Sequence, residues 1–205
     1  METLLSLLVC YIIGSIPTSF LVAKYLKGID IREHGSGNAG ATNTARVVGK
    51  GWGLLVLAVD ILKGLICATL VAKLFLRWGV PVDGHVYPLI LGAMAIAGHI
   101  WSVFLGFRGG KGIATSSGVF IGVAPKVFLI ALVIWVAVFL WKRYVSLASI
   151  ISAVSIPLMS SVTGYPSLFV LISSAICAVT VYKHYPNIKR LVRGEEHAFE
   201  FKKHG

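Results

Sequence analysis

The chain has 205 residues, of which 57% are hydrophobic and 13% charged, and 19 Lys and Arg face 8 Asp and Glu for a formal net charge of +11. With a mean hydropathy of +0.84 and a charged share well below the rough quarter typical of soluble domains, too little polar surface remains to solvate a compact body, which excludes a soluble globular domain. The sparse and mainly cationic charge suits phosphate on lipid headgroups or anionic substrates, whereas nucleic acid would need a water-facing domain for which the chain has no room.

About 20 apolar residues cross the hydrocarbon of a bilayer. In chain order the long apolar runs lie at roughly 3–26, 52–76, 85–107, 127–141, 145–162 and 166–182. The first lacks a basic leader and a small-residue cleavage site, so we expect it to be retained as a span. A shorter run at roughly 113–123 follows the cluster Gly109, Gly110, Gly112 and precedes Ala124-Pro125-Lys126; we count it as a short crossing helix sheltered by protein. The expected fold is therefore an all-α membrane protein of seven transmembrane helices, one of them short. Cys10, Cys67 and Cys177 fall inside apolar runs with no paired spacing, and are read as packing residues. No internal repeat is visible.

An odd number of spans puts the termini on opposite sides, and Lys and Arg decide which side is cytoplasmic. With the N-terminus outside and the C-terminus cytoplasmic, fifteen Lys and Arg fall inside and only Lys73, Arg77 and Lys126 fall outside, with Lys63 inside a span. The same orientation gathers the polar, glycine-rich segments 27–51, 108–118 and 183–205 on the cytoplasmic face, within what we expect to be a single domain over residues 1–205.

The first of these segments reads IREHGSGNAGATNTARVVGKG. Its Gly35-Ser36-Gly37-Asn38-Ala39-Gly40 matches a dinucleotide fingerprint formally, but that pattern has meaning only between a strand and a helix, and this loop joins two spans. The composition favours a nest of backbone N–H groups for phosphate oxygens, with Ser36, Asn38, Thr42 and Asn43 as neutral donors and Arg46 as a bidentate fork. The plainer alternative is a turn-rich connection. In the second segment, Arg108-Gly109-Gly110-Lys111-Gly112 resembles a P-loop only superficially, since glycine follows Lys111 where Ser or Thr would hold a metal. A lysine flanked by glycines ahead of a helix carrying Thr115, Ser116 and Ser117 is nonetheless a candidate anion site; the alternative is a positively charged anchor with a hinge. His99, in the span before it, has a structural hydrogen bond as its equal alternative.

The third segment, YKHYPNIKRLVRGEEHAFEFKKHG, is a basic tail of the kind that binds anionic lipid. That explains its lysines and arginines but not His184 and Asn187, which share one face if the helix continues. Asp60 and Lys63 lie three apart inside the second span, where charge is costly and points to function or to a mutual ion pair bracing the helices. Gly118 and Gly122 form a GxxxG pair suited to close helix packing.

Taken together, SGNAGATNTAR, GHIWSVFLGFRGGKGIATSSG and HYPNIKRLVRGEE resemble the three signature segments of the PlsY family, the bacterial membrane glycerol-3-phosphate acyltransferases that use acyl phosphate. The resemblance covers essentially the whole chain. Arg108 stands where the family pattern has lysine and Lys183 where it has arginine, both preserving charge, and Glu195 occupies a place usual for a small polar residue, leaving Glu196 as the family-like acid. The resemblance implies transfer of a fatty acyl group from acyl phosphate to the 1-hydroxyl of glycerol 3-phosphate, giving lysophosphatidate and phosphate for phospholipid synthesis. It further implies a multi-pass protein of the bacterial cytoplasmic (inner) membrane with its active site facing the cytoplasm, and an acyl-phosphate synthase as a supplier of donor.

Acyl phosphate is a mixed anhydride with a good leaving group, so the main demands are to hold two anions together and to stabilise the tetrahedral intermediate. Arg46, Lys111 and the loop nests are assigned to phosphate, with Ser36 and Asn187 orienting the acceptor or the oxyanion. Gly37, Asn38, Ala39, Gly40, Thr42, Asn43, Arg108, Gly109, Gly110, Gly112 and Glu196 complete the expected binding set. His184 is the protein's best general base, unless a substrate phosphate oxygen takes the proton and His184 only binds it. No carboxylate or His cluster has ligand spacing, so neither metal nor cofactor is expected. The His-x4-Asp motif of acyltransferases using coenzyme A or carrier-protein thioesters is missing: Ala39, Phe104 and Lys189 stand five residues after His34, His99 and His184. A transporter for a phosphate-bearing solute is the rival reading, but it would need polar groups along several spans, and these spans are nearly bare.

Overall fold

The computed structural model describes residues 1–78 and 86–199, and its chain divides into two compact units, Met1–Val123 and Ala124–Gly205. In the first unit the opening apolar run forms α1 (Glu2–Ser15) and α2 (Thr18–Lys27). Pro17 interrupts it: the residue before a proline is driven out of the helical region, and Ile16 sits at φ −54°, ψ 114°. The break lies within the apolar stretch Glu2–Lys27 and leaves the Ile16 carbonyl open to a side-chain donor. After the left-handed cap at Gly28 come a short 3₁₀ turn (Ile31–Glu33), α3 (Ala41–Val47) and α4 (Lys50–Ile66). A single π-helical turn, Cys67–Val71, joins α4 to α5 (Ala72–Arg77) as one apolar stretch of 28 residues. The next helices are α6 (Tyr87–Ile100) and α7 (Ile113–Val123). The expected start of the third span at residue 85 lies outside the described residues.

Close helix packing in this unit is built on glycine. A Cβ at Gly14 of α1 would overlap the Ala95 carbonyl of α6, and one at Gly98 of α6 would overlap the Tyr11 carbonyl of α1. The pair α4 and α7 is reciprocal in the same way, with Gly64 against Thr115 and Gly118 against Ile61. Backbones approaching this closely gain dispersion contacts that larger side chains would prevent, the usual basis of helix association in lipid. Of the expected GxxxG pair, Gly118 makes the backbone contact, while Gly122 faces the Thr69 side chain. Cys10 and Cys67 are both fully buried in the core between these helices, as free thiols.

The second unit contains α8 (Pro125–Lys142), α9 (Val145–Val162), α10 (Ser167–Lys183) and α11 (Tyr185–Arg193). Serine hydroxyls tie α8 to α9: Ser152 Oγ donates to the Ala131 carbonyl at 2.9 Å, and Trp135 Nε1 donates to Ser149 Oγ at 3.1 Å. Among the described residues, five helical stretches are long and apolar enough to cross a membrane, or six if the bent pair α10–α11 forms one span. α7 has 11 residues, a rise of about 16 Å, or roughly half the hydrocarbon thickness.

Candidate active site

The first polar segment folds into a loop fastened from within. Asp30 caps the 3₁₀ turn by accepting from the Arg32 N–H at 2.9 Å and is gripped by the Arg32 guanidinium at 2.6 Å. Hydrogen bonding from Arg32 holds the Asp30 carboxyl below the ordinary aspartate range despite its partial desolvation. Arg32 Nη1 also donates to the Leu105 carbonyl at 3.0 Å, which ties this loop to the segment after α6. Asn43 is the internal fastener. Its Nδ2 donates to the carbonyls of Ile31 (3.1 Å) and His34 (2.9 Å), and its Oδ1 accepts from the Ser36 N–H at 2.9 Å. Both amide hydrogens of this buried side chain are thus spent on the loop itself, so the expectation of Asn43 as a phosphate donor gives way to a bracing role. Gly35, at φ +61°, packs against the Asn43 amide so closely that a Cβ would collide with it.

Around this brace, Ser36 and Asn38 are half-buried, Gly37, Thr42 and Arg46 are exposed, and Ala39 and Gly40 are buried. Arg46 stands in the last turn of α3. The N–H groups of Gly37 and Gly40 donate locally, to His34 and Asn38 carbonyls.

The second segment leaves α6 through a tight turn and doubles back on that helix's end. The Gly109 N–H donates to the Ile100 carbonyl and the Gly110 N–H to the His99 carbonyl, both at 3.0 Å. These two glycine N–H groups therefore satisfy the C-terminal carbonyls of α6, so the anion site expected around Lys111 does not draw on them. What the glycines supply is proximity: a Cβ on Gly110 would strike both His99 Nε2 and the Ala39 carbonyl. The first and second segments consequently meet at Gly110, next to Lys111, and Arg108 is exposed on the same turn.

Beneath that meeting point is a buried polar cluster which sequence reasoning noticed without assigning. Asp60 Oδ1 lies 2.9 Å from Lys63 Nζ, 3.3 Å from Thr18 Oγ1 and 3.7 Å from His99 Nδ1. Lys63 Nζ also donates to the Ile16 carbonyl at 3.2 Å, a group made available by the Pro17 break. Ser102 Oγ donates to the Ser15 carbonyl at 2.6 Å. A cavity of about 10 Å³, enough for one water molecule, lies among the break residues, Asp60, Lys63, His99, Ala39 and Gly110. The paired charges compensate each other, which is what makes burial tolerable.

In the second unit His184 stands at the corner between α10 and α11, which are bent by 55°. The helix bends here rather than continuing: His184 caps the end of one helix, and Asn187 sits in the first turn of the next. Both are nevertheless buried, at 3% and 5% exposure. His184 Nδ1 is 2.8 Å from the Thr180 carbonyl; with Nδ1 as the donor, Nε2 is the basic nitrogen of the neutral ring. Asn187 Nδ2 and Ser146 Oγ each donate to Glu196 Oε1 at 2.7 Å, and Arg190 Nε donates to Glu196 Oε2 at 2.7 Å. Burial pushes the Glu196 carboxyl up, but these three hydrogen bonds and the Arg190 charge outweigh it and hold the group below the ordinary glutamate range. Glu196, expected to bind substrate, is thereby committed to fixing the segment after α11.

The first unit carries cations and small polar groups on glycine-rich turns, and the second carries a buried imidazole at a helix corner; each is an inventory suited to phosphate-bearing substrates. The family model for glycerol-3-phosphate acyltransferase matches residues 4–194. A glycerol-3-phosphate acyltransferase of Desulforudis audaxviator is 49% identical over 193 residues, covering 94% of this chain and 93% of that protein, and one of Aquifex aeolicus is 44% identical over 199 residues, covering 97% and 100%. The crystal structure of PlsY, an integral membrane glycerol 3-phosphate acyltransferase in its glycerol 3-phosphate form, superposes with a TM-score of 0.88 at 41% identity over 98% of this chain and 96% of that one. The same enzyme in its lysophosphatidic acid form gives 0.85 at 40% identity, with the same coverage. A model matched over nearly the whole length and relatives this similar establish that the chain is an integral membrane protein belonging to the PlsY family of glycerol-3-phosphate acyltransferases.

Proposed function

We propose that the protein transfers a fatty acyl group from acyl phosphate to the 1-hydroxyl of glycerol 3-phosphate, releasing lysophosphatidate and phosphate, as one integral-membrane domain at the cytoplasmic face of the bacterial inner membrane. The acceptor oxygen attacks the acyl carbonyl, the bond from acyl carbon to phosphate oxygen breaks, and the hydroxyl proton leaves with the phosphate. The single observation that carries this reading is the meeting of the two glycine-rich segments at Gly110, Ala39 and His99, which brings the Ser36 loop beside the turn bearing Lys111. Two anions held side by side need such converging cations and donors.

In this scheme Arg46 and Lys111 bind phosphate, with Arg108, Gly109, Gly110 and Gly112 shaping the turn and Gly37, Asn38, Ala39, Gly40 and Thr42 lining the loop. Ser36 and Asn187 orient the acceptor or the oxyanion. His184 binds substrate through Nε2 while a substrate phosphate oxygen accepts the proton. The topology is that of seven crossings, counting α7, with the N-terminus outside. The donor reading draws support from the missing His-x4-Asp motif and the abundance of phosphate-binding features.

Purified protein in detergent, given glycerol 3-phosphate with acyl phosphate or with acyl-coenzyme A, tests the donor. Phosphate release from the first and no lysophosphatidate from the second is the expected outcome. Comparable turnover with acyl-coenzyme A, after exclusion of a contaminating enzyme, contradicts it.

A further inference from the structure

The cluster under the glycine turn has no place in the scheme above, and its geometry is too directed for a simple charge pair. Lys63 reaches from α4 to the carbonyl exposed by the α1–α2 break, and Thr18, the first residue beyond the break, donates to the same Asp60 oxygen that holds Lys63. The third group around that oxygen is His99, whose Nδ1 stands 3.7 Å away, a separation at which the carboxylate acts through charge rather than through a hydrogen bond. On its other edge, His99 Nε2 lies against Gly110, and the His99 carbonyl accepts the Gly110 N–H. One imidazole thus faces the buried carboxylate and, one residue before Lys111, the backbone of the turn.

We propose that Asp60 and His99 are positioning residues for the reaction: Asp60 fixes the His99 ring, and His99 fixes Gly110 and hence the place of Lys111. This rests on Lys111 being a phosphate-binding cation. Neither residue touches substrate in this assignment. Lys63 and Thr18 keep the carboxylate in register with the break, and Gly110 is glycine because a side chain would displace the imidazole. Orientation matters because a preorganised contact stabilises a transition state only when held in place before the reaction, and groups acting as a unit show strongly non-additive losses.

The test is a mutant cycle in kcat, read as phosphate release from the full-length protein in detergent at saturating acyl phosphate and glycerol 3-phosphate. His99→Ala is expected to lower kcat at least tenfold, and His99→Gln, whose amide can occupy the place of Nε2, to recover at least threefold of that loss. In the Arg46→Ala background His99→Ala should still cost its full factor. In the Lys111→Ala background it should cost less than twofold, because a displaced turn no longer carries the cation. Equal factors in both backgrounds overturn the positioning role, as does failure of His99→Gln to recover any rate while folded. Where Lys111→Ala leaves too little rate to compare, the recovery decides. A near-wild-type rate for Lys111→Ala alone instead overturns the assignment of Lys111. If His99→Ala fails to fold by size exclusion, Thr18→Val removes one hydrogen bond to Asp60 at nearly constant volume and is carried through the same backgrounds, with about a threefold loss expected only where Lys111 is present.

Discussion

Arg190 Nε and Glu196 Oε2 are 2.7 Å apart across the left-handed turn at Gly194, so the chain that leaves α11 is clamped back onto it. The carboxylate is nearly fully used: its other oxygen accepts from Asn187 and Ser146, and its side chain is 8% exposed. Its folded pKa lies below its ordinary 4.5, which fixes the sign of the pH dependence. A depressed carboxyl stabilises the fold above the ordinary value and loses that contribution as pH falls through the folded pKa. Hydrogen exchange of residues 194–199, expressed as protection relative to the intrinsic rate at each pH, should therefore be slow at neutral pH and lose that protection below about 4.5. Glu196→Gln should accelerate it already at pH 7, with a cost on the order of 1–3 kcal/mol for leaving donors poorly matched. Exchange indifferent to both pH and the substitution would show that the clamp contributes nothing.

Asn43 offers a second test, of loop order rather than of charge. Asn43→Ala removes two donors and one acceptor from buried and partly buried contacts of the loop, and leaving such groups unsatisfied costs up to roughly 1–3 kcal/mol each. The apolar helices are untouched, so the melting transition of the membrane domain should move little while activity falls by tenfold or more. Gly35→Ala should produce the same phenotype, since its Cβ collides with the Asn43 amide and its φ of +61° disfavours a side chain. Full activity in either variant would show that the loop does not depend on the Asn43 brace.

The spans were legible because hydropathy alone decides what lipid accepts. The expected runs at 113–123 and 145–162 coincide with α7 and α9, and 166–182 lies within one residue of α10 at each end. Polar detail was less legible, because it depends on which partner reaches a group first. Asn43 reads as a free donor in sequence, but its own loop carbonyls take both hydrogens. The turn around Lys111 reads as an anion site with free N–H groups, but the end of α6 has unsatisfied carbonyls that claim those of Gly109 and Gly110. Asp60, Lys63 and His99 were visible as intramembrane polar residues. Their convergence beneath Gly110 depends on the Pro17 break meeting α4 and α6, a tertiary coincidence without a local signal.

Topology makes a third prediction. With the N-terminus outside, a cysteine introduced at Gly164 between α9 and α10 should react with an impermeant thiol reagent in intact cells, and one at Arg193 should react only after permeabilisation. Of the native thiols, Cys10 and Cys67 are fully buried, and the partly exposed Cys177 is changed to serine in the labelled background. The opposite labelling pattern would invert the orientation derived from the Lys and Arg distribution.

Arg46 and Lys111 separate a cation that grips phosphate from one that merely sits at the lipid surface. Each, changed to alanine, should cost on the order of 2–4 kcal/mol in transition-state stabilisation, the scale of one lost preorganised contact. Lys126, exposed at the start of α8, should tolerate alanine with almost no change in kcat/KM. Near-wild-type rates for both Arg46→Ala and Lys111→Ala in folded protein would remove the proposed phosphate site.

His184 decides where the acceptor proton goes. Its Nδ1 is engaged with the Thr180 carbonyl, which orients the ring and leaves Nε2 as the basic nitrogen, a geometry that serves either a base or a hydrogen-bonding partner. Chemistry separates the two. An obligatory base must change protonation state, so removing it should abolish turnover at every pH, and the wild-type rate should follow a single titration near neutrality. If the departing phosphate takes the proton, His184 contributes only a hydrogen bond, and an asparagine side chain can replace part of it. His184→Asn is then expected to retain measurable activity, reduced by roughly 2–3 kcal/mol for a contact to a charged group, with a pH profile parallel to that of the wild type. Phosphate release measured from pH 5.5 to 8.5 for both proteins, with folding checked by size exclusion, distinguishes the cases. A folded His184→Asn that is inactive across the whole range would assign the proton to His184 and refute substrate assistance.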